Sequence, residues 1–430
     1  IIFLTPPLGG VFFYIIIMEH LILFLFLITG FIYDPTVLDV IGIQWLYLGG
    51  INILAYGINL YKGNFNQSLK DLKKVIYIYG SFIFISVISI YYAVNWTLSI
   101  LEIARQLIFL STITNLFFLF KQKTRDKLFY IYISRVFLLV LSIEISNILV
   151  AYLTNFNTAV PRQAVFHGYS TNVNIVSMSM LLKLPFVVFL IFRDKLFYKI
   201  ISISNLILFN YFIFWTQSRA TFLAFILISF LLLVYVLKNQ SRKVFLKTLM
   251  ISLLTFAFSL GISNFFIKKN SLSQKITDST LNERILDLGQ AEDTSTQIRL
   301  KYWAGGIKQI IKSPIIGVGI GNWKLNSLEY DSIFMNTYNV QYHMHNDFLQ
   351  AFAELGLIGF IVFCAFILFI FYSVINQLFK GSNTFFTFCL LLSLIVYCTD
   401  AFFNFPHERS EIQSIFAVII SVVFLKHKTK

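Results

Sequence analysis

HMHNDFLQAFAELGLIGF, residues 343–360, places two histidines, an asparagine and an aspartate directly in front of a long apolar run. That run is of membrane-crossing length, for which about 20 mostly apolar residues suffice. The rest of the chain reads the same way. Of 430 residues 57% are hydrophobic and only 13% charged, with a mean hydropathy of +0.77. A soluble protein carries about a quarter charged residues. Forty-nine Phe and 22 Tyr do not suit a water-facing surface either. The composition describes an all-α polytopic membrane protein.

The formal charge of +14 does not point to nucleic acid. Lys and Arg fall in short clusters between apolar runs, as in cytoplasmic membrane loops. The cysteines (Cys364, Cys389, Cys398) lie inside apolar segments, which excludes a disulfide framework or a Cys-based metal site. The first apolar run lacks a basic leader and a small-residue cleavage site, so it reads as a retained helix.

About twelve spanning helices are expected, near 9–31, 40–61, 75–94, 97–120, 128–152, 171–192, 196–215, 219–237, 244–266, 347–375, 384–403 and 410–426. Every second loop is rich in Lys and Arg, and the alternate short loops hold instead Asp34, Asp39, Arg162 and Arg409. By the positive-inside rule this alternation puts both termini in the cytoplasm. One connection stands apart: residues 267–346, about 80 in number, fall on the outer side between the ninth and tenth helices. Its second half, IRLKYWAGGIKQIIKS, spaces Ile298, Tyr302, Ile307, Ile310 and Ile311 as an amphipathic helix that Pro314 stops. The expected organisation is therefore nine helices over 1–266, a loop subdomain over 267–346 and three helices over 347–430.

The outer side collects the chemistry. Arg219, in FWTQSRATFLAFILISF, is flanked by apolar sequence; it is either an arginine snorkelling to the interface or an anion clamp facing the bundle. Arg299 opens the amphipathic helix, and Arg162 adds a third guanidinium on the same side. Guanidinium forks match phosphate oxygens with paired charge-assisted hydrogen bonds, so the three suggest a phosphorylated or pyrophosphorylated lipid. SPIIGVGIGNW (313–323) has three alternating glycines but no Walker lysine; a structural turn is at least as good a reading as an anion loop.

His345 stands at the start of the tenth helix, with Asn346 as N-cap and Asp347 in the first turn. A neutral imidazole can take a proton from a hydroxyl; an isolated histidine here would more often be a cap. His343, His345, Asp347, His407 and His167 all map to the outer side, yet without the fixed spacing of a metal motif, so no metal is expected. Within the membrane, Glu102 and Arg105 are three apart and can satisfy each other, while Glu19, His20, Arg135 and Glu144 face the core with partners not readable from sequence. The main alternative to an enzyme is a transporter of lipid-linked oligosaccharide. Transporters usually show two related halves, and the single large loop makes these halves unequal.

In order, SRA at a helix start, RLKYW and SPIIGVGIGNW in a long outer loop, and HNDFLQAFAELGLIGF at the next helix resemble the bacterial O-antigen ligase family. That family belongs to a superfamily with O-antigen polymerases and protein O-oligosaccharyltransferases. GYSTNVNIVSMSML (168–181) and DAFFNFPHERSE (400–411) add to the likeness, which is strong over 168–411 and weak before it. The resemblance implies a GT-C-like membrane glycosyltransferase at the outer face of the bacterial inner membrane. It would take a glycan from undecaprenyl pyrophosphate to a hydroxyl of lipid A core, by an inverting, metal-independent reaction without cofactor. Arg219 and Arg299 would grip the pyrophosphate and His345 would orient or deprotonate the acceptor. Arg162, His343, His167, Asn346, Asp347, His407 and Arg409 would be secondary.

Overall fold

The computed structural model describes residues 8–34, 36–37, 39–121, 128–155, 168, 172–216, 218–239, 246, 249–250, 252–257, 294–331, 342–381 and 384–425. Their regular structure is helical throughout: α1 (Leu8–Leu27), α2 (Val40–Tyr61), α3 (Lys73–Ser89), α4 (Trp96–Lys121), α5 (Phe129–Thr154), α6 (Val173–Arg193), α7 (Leu196–Thr216), α8 (Arg219–Asn239), α9 (Thr294–Lys312), α10 (Trp323–Asp331), α11 (Asp347–Phe379), α12 (Thr384–Phe403) and α13 (Ser410–Val423). Nine of the described helices are long and apolar enough to span a bilayer, and two shorter apolar segments, Met18–Leu27 and Ser410–Val423, accompany them. The expected ninth span, near 244–266, lies largely outside the described residues.

Two helices form the interior. All 14 residues of α13 are buried, and α6 is buried from Ile175 to Val187 without a gap. A helix buried along its whole length needs neighbours on every side. Accordingly α6 packs against α5, α7 and α12, and α13 packs along α4. The peripheral helices turn large apolar side chains outward, among them Leu46, Ile53, Phe84, Phe230 and Leu368, as lipid-facing surfaces do.

Several buried charges in the bundle are held in ion pairs. Arg105 Nη1 donates to Glu102 at 2.5 Å, as the three-residue spacing predicts, and also to Glu408 at 3.2 Å. Glu19 pairs with Lys62 and Arg135 grips Asp194 through two nitrogens. Glu144 binds Lys183, which is 1% exposed at the middle of α6 and is an intramembrane charge that sequence reading passed over.

α11 departs from the single continuous helix expected. At Gly356 the backbone leaves helical geometry (φ 65°, ψ −168°). Into that break inserts the glycine-alternating segment 314–322. Leu357 N–H donates to Pro314 C=O, and Val318 and Gly319 donate to the carbonyls of Ala353 and Glu354. Gly317, Gly319 and Gly321 all have positive φ. A Cβ on Gly317 would stand 2.3 Å from the Glu354 carbonyl, and one on Gly356 2.1 Å from that of Ile315. Non-helical backbone at membrane depth is tolerated where protein buries it, and here two broken segments satisfy each other.

Candidate functional site

The glycine segment forms a floor. Glu354 is buried, and its carboxylate accepts Gly321 N–H at 2.8 Å and Trp323 N–H at 3.2 Å. Ile320 N–H goes to Ser89 Oγ, and Asn322 binds Asn95 of the α3–α4 connection together with Ser99. The amides of this segment are thus taken up by protein. Of the two readings open in the sequence, the structural turn is the one the hydrogen bonds describe.

Above it lies a rim built from two stretches about 60 residues apart. The first is 342–346, leading into α11. Asn346 caps that helix, its side chain accepting Leu349 N–H at 3.0 Å, and Asp347 accepts the His407 N–H at 2.9 Å. The second is 404–409, joining α12 to α13, with a short 3-10 turn at Pro406–Glu408. Asp347 thereby ties the two stretches together.

Phe405 is the shared surface. His343 stacks on its ring at 4.3 Å, His345 meets it edge-on at 4.9 Å, and the Arg409 guanidinium lies over it at 4.8 Å. Tyr302 of α9 stands parallel to the His345 ring at 6.3 Å. Arg299, a turn earlier on α9, donates to Asn404 Oδ1 at 3.4 Å, and Asn404 donates onward to Asp400 at 2.7 Å. So His345, His343, Arg299 and Arg409 converge. Arg219 starts α8, which packs on α12. Arg162 and His167 lie outside the described residues.

His345 is the only non-glycine residue at positive φ (54°) among the described residues. For a residue with a Cβ this conformation costs about 1–3 kcal/mol and marks a place where surrounding structure imposes geometry. The Nδ1 atoms of His343 and His345 are buried and have no hydrogen-bond partner. Burial pushes the His345 imidazole down to about 4; Arg299, His343 and Arg409 push the same way, against a hydrogen bond with Asn404. His343 is likewise lowered to about 4 by burial, with Glu408 opposing. Both rings are neutral at pH 7, the state that accepts a proton. Burial raises the Glu408 carboxyl, but the facing His343, Arg105 and His407 bring it below its ordinary value.

The remaining candidates have structural duties. His407 is buried edge-on between Phe82 and Phe363, and Asn346 and Asp347 act as cap and tie. Sequence reading missed Phe405, Asn404 and Asp400. Among the described residues no group of three or more His, Cys, Asp or Glu is arranged to hold a metal.

No curated protein matches the chain. Residues 203–364, which carry Arg219, Arg299, His343, His345 and the Glu354 floor, match the family model described as O-antigen ligase, and over that segment the chain is similar to that family.

Proposed function

We propose that this chain is a membrane glycosyltransferase of the O-antigen ligase type, transferring a glycan from undecaprenyl pyrophosphate to a hydroxyl of lipid A core. The reaction takes place at the outer face of the bacterial inner membrane, with both termini in the cytoplasm. The observation that carries this reading is the convergence of a neutral, strained His345 with Arg299 and Arg409 within a segment similar to O-antigen ligases. Pyrophosphate is already a good leaving group, so the protein mainly neutralises charge that gathers on it. Arg299 and Arg219 do this as two-pronged donors.

His345 then takes the acceptor proton as the hydroxyl attacks the anomeric carbon opposite the leaving pyrophosphate, inverting that centre. A bound pyrophosphate also changes the base. It offsets the guanidinium charges that depress His345, so the imidazole gains basicity when the donor is seated. No metal or cofactor is part of this mechanism.

The test is transfer in detergent from undecaprenyl-pyrophosphate glycan to purified lipid A core, with wild type and His345→Ala compared in the presence of EDTA. Transfer by wild type alone supports the reading. Loss of transfer on chelation, restored by zinc, overturns the metal-free mechanism. Growth of longer lipid-linked chains in place of core transfer makes the protein a polymerase, and transfer to a Ser or Thr a protein O-oligosaccharyltransferase.

A further inference from the structure

Between the two rim histidines sits Met344, fully buried, and both ends of its backbone are held. Its C=O accepts the indole N–H of Trp303 on α9 at 3.1 Å, and its N–H donates to Gln350 Oε1 on α11 at 3.3 Å. Gln350 is itself oriented, because its amide nitrogen donates to Glu408 Oε1 at 3.3 Å and lies 3.5 Å from Glu354 Oε1. The Met344 side chain packs where α9 has no side chain of its own: a Cβ on Gly306 would meet its sulfur at 2.7 Å. The indole of Trp303 also meets Phe402 edge-on at the end of α12.

This arrangement solves a specific problem. A lone left-handed residue such as His345 drifts back to extended backbone unless something fixes the peptide before it. Trp303 holds the carbonyl and Gln350 the N–H of the residue before His345. Trp303 also lies four residues after Arg299, one helical turn along the same helix. The bond from Trp303 to Met344 therefore locks the distance between the Arg299 guanidinium and the His345 imidazole.

We infer that Trp303 and Gln350 are positioning residues: their two hydrogen bonds to the Met344 backbone hold His345 in its left-handed conformation and in register with Arg299. This rests on the proposed roles of His345 and Arg299, although the geometry it describes does not require them. Neither residue touches the reacting atoms. Both act through the backbone between the two histidines. Displacements of about 1 Å at a reacting group cost on the order of 100-fold in rate, so a hydrogen bond that fixes the base is worth far more to turnover than to folding.

The test uses full-length protein labelled with 15N-histidine in detergent, with the His345 signal assigned through His345→Gln. Trp303→Phe removes the donor and keeps most of the ring; Gln350→Met removes the other grip at similar volume. The groups that face His345 are Arg299 and Tyr302 from α9, His343 from its own stretch, and Arg409 and Asn404 from the α12–α13 connection. These stay in place in both variants. In wild type the ring is expected to titrate below 6.5, because burial and then the facing Arg299 disfavour its charged form. Each variant is expected to raise that midpoint as water reaches the released ring, with the His407 signal unmoved in Trp303→Phe.

In the transfer assay kcat falls about 10–100-fold while donor KM changes less than threefold. Trp303→Arg, which restores a donor on a long side chain, recovers part of the rate. Unchanged His345 titration in both folded variants overturns the inference, as does a loss of turnover explained wholly by lower protein yield. If wild type transfers no glycan but the titration shifts, the clamp stands and the transfer reading falls.

Discussion

The floor and the rim occupy the same end of the bundle, and both interrupt regular helix with residues that sequence patterns flag as reactive. The floor, 314–323, has three positive-φ glycines and a buried glutamate, and its amides are answered by Glu354, Ser89 and the carbonyls of α11. The rim, 342–346 with 404–409, has two buried imidazole nitrogens without partners, a strained histidine and the Arg409 guanidinium around one phenyl ring, with Arg299 reaching Asn404 beside it. Satisfied polar groups hold a fold together; unsatisfied ones are available to something else. The contrast lies in the floor's backbone amides and Glu354 carboxylate, which answer one another, against the rim's imidazole nitrogens, which are unanswered.

The sharpest way to break that contrast is at the rim. His345→Ala is expected to reduce transfer by about 10²–10⁴-fold, the usual range for a general base, with protein level and thermal midpoint near wild type. A large loss of folded protein would move His345 into the scaffold. Arg299→Ala and Arg219→Ala should each cost about 10²–10³-fold in turnover, as removal of a charge-stabilising donor does. Retained turnover in Arg219→Ala would assign that residue to the membrane interface instead.

The floor should respond oppositely. Gly317→Ala forces a Cβ into the Glu354 carbonyl at an already left-handed position, with a cost of about 2–4 kcal/mol. The expected result is a much lower thermal midpoint, with any surviving folded protein still transferring glycan. Normal stability with abolished transfer would mean that the floor takes part in catalysis.

A milder test uses acid. His343 and His345 are lowered to about 4 in the folded state from an ordinary 6.5, so the unfolded chain binds protons first. Neither ring affects stability well above pH 6.5; as pH falls from 6.5 towards 4, stability drops, then levels off below 4. Detergent-solubilised protein should lose thermal midpoint across that window, and His343→Gln should flatten the slope. An unchanged slope would indicate that His343 is hydrated.

Much of this was legible in the sequence because membrane physics leaves few options. Apolar length placed α2 to α8 and α11 to α13, helical spacing and Pro314 placed α9, and the i,i+3 spacing paired Glu102 with Arg105. His345 and Arg299 stood out by residue type. The rest depended on contacts between distant segments. Nothing local marks Phe405 as the ring on which His343, His345 and Arg409 meet, because an aromatic among 49 phenylalanines carries no signal of its own. Lys183 was hidden inside a run whose mean hydropathy outweighs one charge. The break at Gly356 was invisible because apolar sequence continues through it; only the docking of 314–319 shows why a glycine stands there.

The bonds from Trp45 to the Glu408 carbonyl and from Arg105 to the Glu408 carboxylate join residues 363 and 303 positions apart. Ribosomes deliver the amino-terminal helices first, so during synthesis Arg105 and Trp45 enter the bilayer well before Glu408 exists. Phe405 arrives equally late, and His343 and His345 lack their common ring until then. The rim is therefore assembled only once the 404–409 turn has joined the earlier helices.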